Sequence, residues 1–198
     1  PRLVEYREAS RAKQPTWHNA PVESTGPISA RLLITGLAPG MKGANRTGRP
    51  FTGDFAGDLL YPTLVKYGFA DGTYGGEADD GLTLTDCRIT NAVRCVPPQN
   101  KPTGAEVLAC RPFLQNEIAA MANLCVILAL GGIAHQAVLR TLGGKISAHK
   151  FAHRACYEVA KGVMMIDSYH CSRLNTNTGR LTEAMFCDVF EDIHRLIG

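Results

Sequence analysis

Polar and aromatic side chains follow three short apolar segments of the chain, and their types suit the binding of a flat polar ring. Phe51 and Asp54 lie in the first of these loops, Asn91 opens the second and His170 lies in the third. An aromatic ring can stack on the face of such a ligand, and an amide can read its hydrogen-bonding edge. A carboxylate and an imidazole add acid–base or electrostatic chemistry. The pattern predicts one site assembled from three loops.

The first loop, residues 36–54, is rich in glycine and also carries Arg46 and Arg49. Glycine has no Cβ, so the backbone of such a loop can approach a ligand closely. The plainer alternative is an ordinary turn with two solvated arginines. A connection this long without structure of its own is usually functional or disordered, and its specific composition argues against disorder. We expect the ligand at the carboxyl ends of the strands.

Four short apolar segments, each followed by a loop and a helical pattern, predict buried parallel strands. The strand segments are 32–37, 89–93, 125–130 and 163–168, and the helical patterns are 58–67, 103–123, 132–142 and 181–197. This alternation predicts an α/β fold, a three-layer sandwich with a central four-stranded parallel sheet flanked by helices.

The N-terminal residues 1–30 are polar and interrupted by proline, and they predict a helical or irregular segment with one short helix over 2–13. The helical pattern over 103–123 starts with a strong local signal, because Thr103 and Glu106 have the spacing of a capping box. No composition shift, repeat or low-complexity tract divides the chain, so we expect a single domain over 1–198.

The composition is that of a globular protein, with 45% hydrophobic and 20% charged residues and a net charge of +3. That charge is compatible with nucleic acid but equally with small anionic ligands. The sequence shows neither a secretory signal nor an apolar run approaching about 18 residues, so we expect a cytoplasmic protein without a membrane partner. Disulfides are unusual in that compartment, so the seven cysteines indicate metal ligation or small buried side chains.

Long motifs in these loops resemble those of the type B (family five) uracil-DNA glycosylases, and the resemblance covers nearly the whole chain. The motifs are GLAPG (36–40), GANRTGRPFTGD (43–54), NAVRC (91–95), SYH (168–170) and NTNTGRLT (175–182). They are long and occur in the family's order. The family usually has His-Pro-Ser where this chain has His170-Cys171-Ser172, and the family's C-x-x-C pair would lie immediately before Pro1.

The resemblance implies a catalytic set of Asp54, His170 and Asn91. Related glycosylases place a carboxylate within the first motif, but Leu37 and Ala38 stand there, so Asp54 would orient or activate the water. A neutral imidazole N–H of His170 would stabilise the negative charge on the departing base. The alternatives are a helix N-cap for Asp54 and a structural role for His170.

The resemblance also implies a base pocket in which Phe51 stacks on uracil and Asn91 bonds to its edge. For Phe51 the alternative is a core aromatic, and for Asn91 it is a turn at a strand end. For His153, a place on the surface or behind the pocket is equally compatible with the sequence. The residues expected to bind the base are Gly36, Ala38, Phe51, Asn91 and His153.

Basic and polar residues of the same loops are expected to contact DNA phosphates, although single basic loop residues are usually just solvated. Ser172, with Arg173 and Leu174, is expected to enter the duplex as the base leaves it. The residues expected to bind DNA are Arg46, Arg49, Lys101, Ser172, Arg173 and Arg180.

Cys95 and Cys110 correspond to two ligands of the family's 4Fe-4S cluster, which is held by four thiolates. The other two ligands would be the C-x-x-C pair expected just before Pro1. Either those residues precede the sequence given, or this member dispenses with the cluster. We expect a structural role for the cluster, because base hydrolysis moves no electrons.

The leading hypothesis is a monomeric, monofunctional glycosylase that removes uracil from DNA and leaves an abasic site. The family's tolerant pocket implies hypoxanthine and xanthine as further substrates. One alternative is a protein that binds uracil or abasic DNA, or captures it covalently, without turnover. A generic α/β nucleotide hydrolase is disfavoured, because the sequence has neither a P-loop nor a GxGxxG motif.

Overall fold

The computed structural model describes residues 2–198. Within this part of the chain the strands are β1 (Leu32–Gly36), β2 (Ala70–Asp71), β3 (Thr83–Leu84), β4 (Cys87–Asn91), β5 (Val126–Leu130), β6 (Cys156–Ala160) and β7 (Val163–Ser168). The α-helices are α1 (Arg2–Lys13), α2 (Ala44–Thr47), α3 (Phe55–Lys66), α4 (Gly104–Ala120), α5 (Gly132–Thr141), α6 (Arg173–Asn177) and α7 (Glu183–Ile197). Single 3₁₀ turns are formed by Pro98–Asn100 and Ile146–Ala148.

The central sheet has the strand order β4-β1-β5-β7-β6. The first four strands are parallel, as the sequence predicts, but β6 adds an antiparallel edge strand, so the predicted four-stranded sheet has five strands. Along β6 exposed and half-buried residues alternate, because one face of this edge strand meets solvent. The sequence prediction relied on continuous apolar segments and therefore missed it.

The two faces of the sheet bury different sets of side chains, which confirms the three-layer arrangement. On one face the strands pack against α3 and α7, and on the other face against α4 and α5. Side chains alternate between the faces along a strand. The first face includes Ile34, Leu128, Leu60, Phe186 and Phe190. The second includes Leu33, Ile127, Leu114, Val138 and Met165.

Local signals fix where several helices begin. The hydroxyl of Thr103 accepts a hydrogen bond from the Glu106 N–H, and the Glu106 carboxylate accepts one from the Thr103 N–H, which confirms the capping box of α4. Asp54 caps α3 and Ser172 caps α6. Within residues 2–198, no helix has the length and apolar character needed to cross a bilayer.

A buried polar pair stabilises the end of β7, the strand that leads to His170. The Nδ1 atom of His135 lies 2.8 Å from Oδ1 of Asp167, and its Nε2 atom lies 2.9 Å from the carbonyl oxygen of His149. Since a carbonyl oxygen only accepts hydrogen bonds, Nε2 carries a proton. The pair joins α5, β7 and the 149–155 segment just below the third predicted loop.

Candidate active site

A cavity of about 410 Å³ lies at the carboxyl ends of the parallel strands and contains the predicted site. The strand ends Gly36 of β1 and Asn91 of β4 bring the first two loops to it, and the segment after β7 supplies the third. The cavity is lined by Leu37, Ala38, Pro39, Gly40, Phe51, Asp54, Phe55, Ala56, Asn91, Asn100, His170, Ser172 and Arg173. The three loops therefore converge as expected.

The Phe51 ring and the Asn91 side chain both pack against the backbone of Gly36. A Cβ atom on Gly36 would lie 2.5 Å from the Asn91 Oδ1 atom and 2.5 Å from the Phe51 Cζ atom. Real Cβ atoms do not approach other atoms so closely, so a larger residue here would have to displace one or both side chains. Phe51 itself adopts a φ of 54°, which is uncommon for a residue with a side chain. Its ring centroid lies 5.9 Å from that of His170.

The Asp54 carboxylate both caps α3 and faces the cavity. Its Oδ1 atom accepts a hydrogen bond of 3.2 Å from the Ala56 N–H. Its Oδ2 atom lies against the backbone of Gly40 and Gly43, where a Cβ on Gly43 would approach it to 2.3 Å. Burial raises the pKa of this carboxyl above its ordinary value. The cap role is confirmed, and Oδ2 is not needed for it.

The His170 side chain lines the cavity, and burial lowers the pKa of its imidazole below the ordinary value. The ring is therefore neutral at neutral pH. Its Nδ1 atom is buried and has no hydrogen-bond partner within the described residues. The Asn175 side chain donates a 2.8 Å hydrogen bond to the His170 carbonyl oxygen and fixes the loop.

The structure adds Asn100 to the cavity wall, a residue that the sequence analysis did not single out. Gln99 and Asn100 both have a φ of 56°, which turns this loop back towards the site. The Pro97-Pro98 dipeptide ahead of them is a turn signal, but it does not specify which later side chain faces inward.

His153 lies behind the cavity wall rather than in it. Its ring stacks on Tyr169 with centroids 5.1 Å apart, and its Nδ1 atom accepts a 3.3 Å hydrogen bond from the Tyr169 N–H. The described residues that line the cavity do not include it. His153 therefore contacts Tyr169, the residue before His170, and does not line the cavity where the base was expected to bind.

Two of the arginines expected to contact DNA are instead paired with carboxylates. Arg49 is buried and forms a two-pronged ion pair with Asp80, with N–O distances of 2.8 and 2.6 Å. One guanidinium nitrogen of Arg46 donates to both carboxylate oxygens of Glu77, at 2.7 and 2.9 Å. A phosphate contact by Arg49 would require breaking a buried pair, which is costly. Both partners lie about thirty residues away in sequence, so local composition does not reveal them.

The other basic residues expected to contact DNA are exposed and form no ion pair within residues 2–198; they are Lys101, Arg173 and Arg180. The guanidinium carbon of Arg173 lies 5.2 Å from the Phe55 ring centroid, and that of Arg180 lies 4.6 Å from the Tyr169 ring centroid. Leu174, beside Arg173, is 73% exposed. Ser172 lines the cavity, so this third loop presents polar, basic and apolar groups at its mouth.

Cys95 and Cys110 are both half-buried and unbonded, and burial together with nearby Cys95 raises the pKa of the Cys110 thiol. An Arg7 guanidinium nitrogen lies 3.2 Å from the Cys95 sulfur. The start of α1 lies close by, because Arg2 bonds to Glu106 one turn before Cys110. In residues 2–198 no group of three or more His, Cys, Asp or Glu side chains is arranged to hold a metal. Two thiols are half of the four thiolates that a 4Fe-4S cluster requires.

Cys171, which replaces the family's proline, is fully buried. Burial, with a contribution from the Asp54 charge, raises the pKa of its thiol to about 12. The side chain is therefore a neutral, apolar packing group beneath the cavity and not a nucleophile.

Comparison with known proteins agrees with this geometry. The family model for the uracil DNA glycosylase superfamily matches residues 23–194. The type-5 uracil-DNA glycosylases of Thermus thermophilus and Mycobacterium leprae are each 44% identical to this chain. The alignments cover all of this chain and, respectively, 92% and 90% of the length of those proteins. That of Pyrobaculum aerophilum is 40% identical over 96% of this chain and 84% of its own length. This chain belongs to the uracil-DNA glycosylase superfamily and, within it, to the type-5 family.

Proposed function

We propose that this protein hydrolyses the bond between uracil and deoxyribose in DNA and leaves an abasic site, as a DNA repair enzyme. The observation that carries the proposal is the convergence of Phe51, Asn91, Asp54 and His170 on one cavity at the strand ends. The relatives are named type-5 uracil-DNA glycosylases, which supports the same reaction for this chain. Hypoxanthine and xanthine in DNA are proposed as further substrates.

The base leaves the duplex and enters the cavity, since its glycosidic bond is out of reach within the stack. Uracil stacks on Phe51, and the Asn91 side-chain amide bonds to its edge. The close approach of both side chains over Gly36 supports this arrangement, because it fixes the amide beside the ring. An amide both donates and accepts hydrogen bonds, which suits the adjacent N–H and C=O groups of uracil.

Cleavage builds positive charge on the sugar and negative charge on the departing base. An N–H of the neutral His170 imidazole stabilises the base anion. The Oδ2 atom of Asp54, which the helix cap leaves available, orients the attacking water and stabilises the positive sugar. The carboxylate must be ionised for both roles. Its raised pKa therefore predicts an acid limb in the pH profile, that is, a fall in the excision rate as the pH drops and Asp54 becomes protonated.

The reaction is a simple hydrolysis carried out by a single copy of the chain. No lysine lines the cavity among the described residues, so the site offers no amine for a Schiff-base intermediate. The groups assigned to chemistry and base binding all come from one chain, so the proposed reaction needs no residue of a second copy.

The first test is the treatment of a uracil-containing oligonucleotide with the protein, followed by alkali. The intact protein should generate alkali-labile sites at uracil without nicking the strand itself. Oligonucleotides that contain hypoxanthine or xanthine test the additional substrates in the same assay. Tight binding to uracil or abasic DNA without turnover would favour a non-catalytic binder, and a borohydride-trapped adduct at high yield would contradict simple hydrolysis.

The same assay separates the two roles of Asp54. The substitution Asp54→Asn keeps an oxygen for the cap of α3 but removes the charge, and Asn is as good an N-cap as Asp. We expect this variant and His170→Ala to lose on the order of 10² to 10³ in single-turnover rate. Abasic-DNA affinity and, for Asp54→Asn, the melting temperature should stay close to wild type. The acid limb should disappear in Asp54→Asn, and a wild-type rate would reduce Asp54 to a helix cap.

DNA binding is proposed for Ser172, which lines the cavity, and for the exposed basic residues Lys101, Arg173 and Arg180. Affinity should fall as salt rises, with a log–log slope of about −0.9 per phosphate contacted. Arg173→Ala should make the slope shallower by about one contact. Arg46→Ala is the matched control, because its guanidinium is already paired with Glu77. An unchanged slope for Arg173→Ala would remove Arg173 from the phosphate contacts.

A structural 4Fe-4S cluster is proposed with Cys95 and Cys110 as two of its ligands and a C-x-x-C pair before Pro1 as the others. When bound, such a cluster would crosslink the start of α1, the Arg94-Cys95 loop and α4. Protein produced with its natural upstream residues should be brown and contain iron. Cys95→Ala should lose iron and thermal stability, whereas Cys156→Ala, which changes an exposed cysteine, should lose neither. Iron-free, colourless protein of normal stability and activity would contradict the cluster.

A further inference from the structure

We propose that Tyr74 is a positioning residue that holds the 49–54 turn, and with it Phe51, in the geometry needed for base stacking. Tyr74 does not line the cavity and acts through the backbone of this turn. The inference rests on the proposed stacking of uracil on Phe51. It assigns a functional role to the 72–82 segment, which the family motifs do not include.

The turn needs external support because its backbone is in an unfavourable conformation. Phe51 has a φ of 54°, and Gly53, two residues later, has a φ of 82°. A residue with a side chain holds a positive φ only when its surroundings favour that conformation over the ordinary ones. Asp54 follows immediately, so the geometry of the turn also sets the position of the proposed water-orienting carboxylate.

The Tyr74 hydroxyl bonds to both sides of the turn. It accepts a 3.1 Å hydrogen bond from the Gly53 N–H and lies 3.4 Å from the Phe51 carbonyl oxygen, to which it donates. The first turn of α3 leaves just enough room, because a Cβ on Gly57 would lie 2.1 Å from the Phe51 carbonyl oxygen and 2.2 Å from this hydroxyl. Tyr74 therefore determines where the backbone of Phe51 can lie.

The Tyr74 ring is itself fixed by a buried layer beneath the turn. It stacks on the Tyr61 ring with centroids 4.7 Å apart and planes inclined by 15°. The Tyr61 hydroxyl donates a 2.6 Å hydrogen bond to the Pro50 carbonyl oxygen. The two stacked tyrosines thus hold consecutive carbonyl groups of the turn, those of Pro50 and Phe51.

The buried ion pair of Arg49 and Asp80 ties the rest of the 72–82 segment to the same turn. Arg49 also donates from Nε to the Thr52 hydroxyl at 2.7 Å. The Asp80 oxygens accept further hydrogen bonds from the N–H groups of Gly75 and Leu82 at 2.8 and 3.1 Å. Because each guanidinium nitrogen and each carboxylate oxygen of this pair bonds within the protein, the pair supports the turn and holds Tyr74 in register.

The substitution Tyr74→Phe tests the inference, since it keeps the stacked ring and removes only the hydroxyl. Tyr157→Phe is the matched control, because the Tyr157 hydroxyl also donates to a backbone carbonyl, that of Lys150, at 2.6 Å and away from the cavity. Phe51→Ala serves as the reference for loss of the stacking ring. The readouts are the single-turnover rate on uracil-containing DNA, inhibition by free uracil, affinity for abasic DNA and melting temperature.

We expect Tyr74→Phe to slow excision about tenfold and to weaken inhibition by free uracil, with abasic-DNA affinity unchanged, because misplacement of a binding group lowers the rate steeply. Tyr157→Phe should keep the wild-type rate and inhibition. Equal rates and equal uracil inhibition in the two variants would overturn the positioning role. If Phe51→Ala leaves uracil inhibition intact, the proposed stacking itself is wrong, and this inference fails with it. If inhibition is weakened in Phe51→Ala but not in Tyr74→Phe, only the role of Tyr74 is overturned.

Discussion

The packing of the Phe51 and Asn91 side chains against the backbone of Gly36 is the constraint on which the rest of the site depends. The parallel pairing of β1 with β4 places Gly36 opposite Asn91, at the ends of both strands. The turn that carries Phe51 then folds back onto the same point, and a Cβ at Gly36 would clash with both side chains. A stacking ring and an amide are therefore held side by side before any ligand arrives. Such preorganisation lowers the cost of binding the base.

Burial shifts the pKa values of the two proposed catalytic groups in opposite directions, and the shift of His170 suits its proposed role. It raises the pKa of Asp54 and lowers that of His170, because a buried site disfavours the charged form of each. A neutral imidazole can donate to the base without a counter-charge. The Asp54 carboxylate keeps one oxygen on the helix cap, so the other has a fixed direction. Exposed cations remain at the cavity mouth, where DNA phosphates would arrive.

Much of this could be predicted from the sequence, because the relevant signals are local. Continuous apolar segments identify the four parallel strands, and the polar residues after them identify the converging loops. Pairing between distant segments could not be predicted in this way. The burial of Arg49 depends on Asp80, and the edge strand β6 depends on its hairpin with β7. The inward direction of Asn100 depends on a backbone turn that no side-chain pattern specifies.

The most direct test of the account is the excision rate of Gly36→Ala measured beside that of Gly104→Ala. Both add one methyl group, but at Gly104 no atom lies within 4 Å of the added Cβ, whereas at Gly36 it would displace Phe51 and Asn91. We predict that Gly36→Ala loses about 10² in single-turnover rate on uracil-containing DNA while remaining folded, and that Gly104→Ala retains the wild-type rate. A wild-type rate in folded Gly36→Ala would contradict the proposed base pocket.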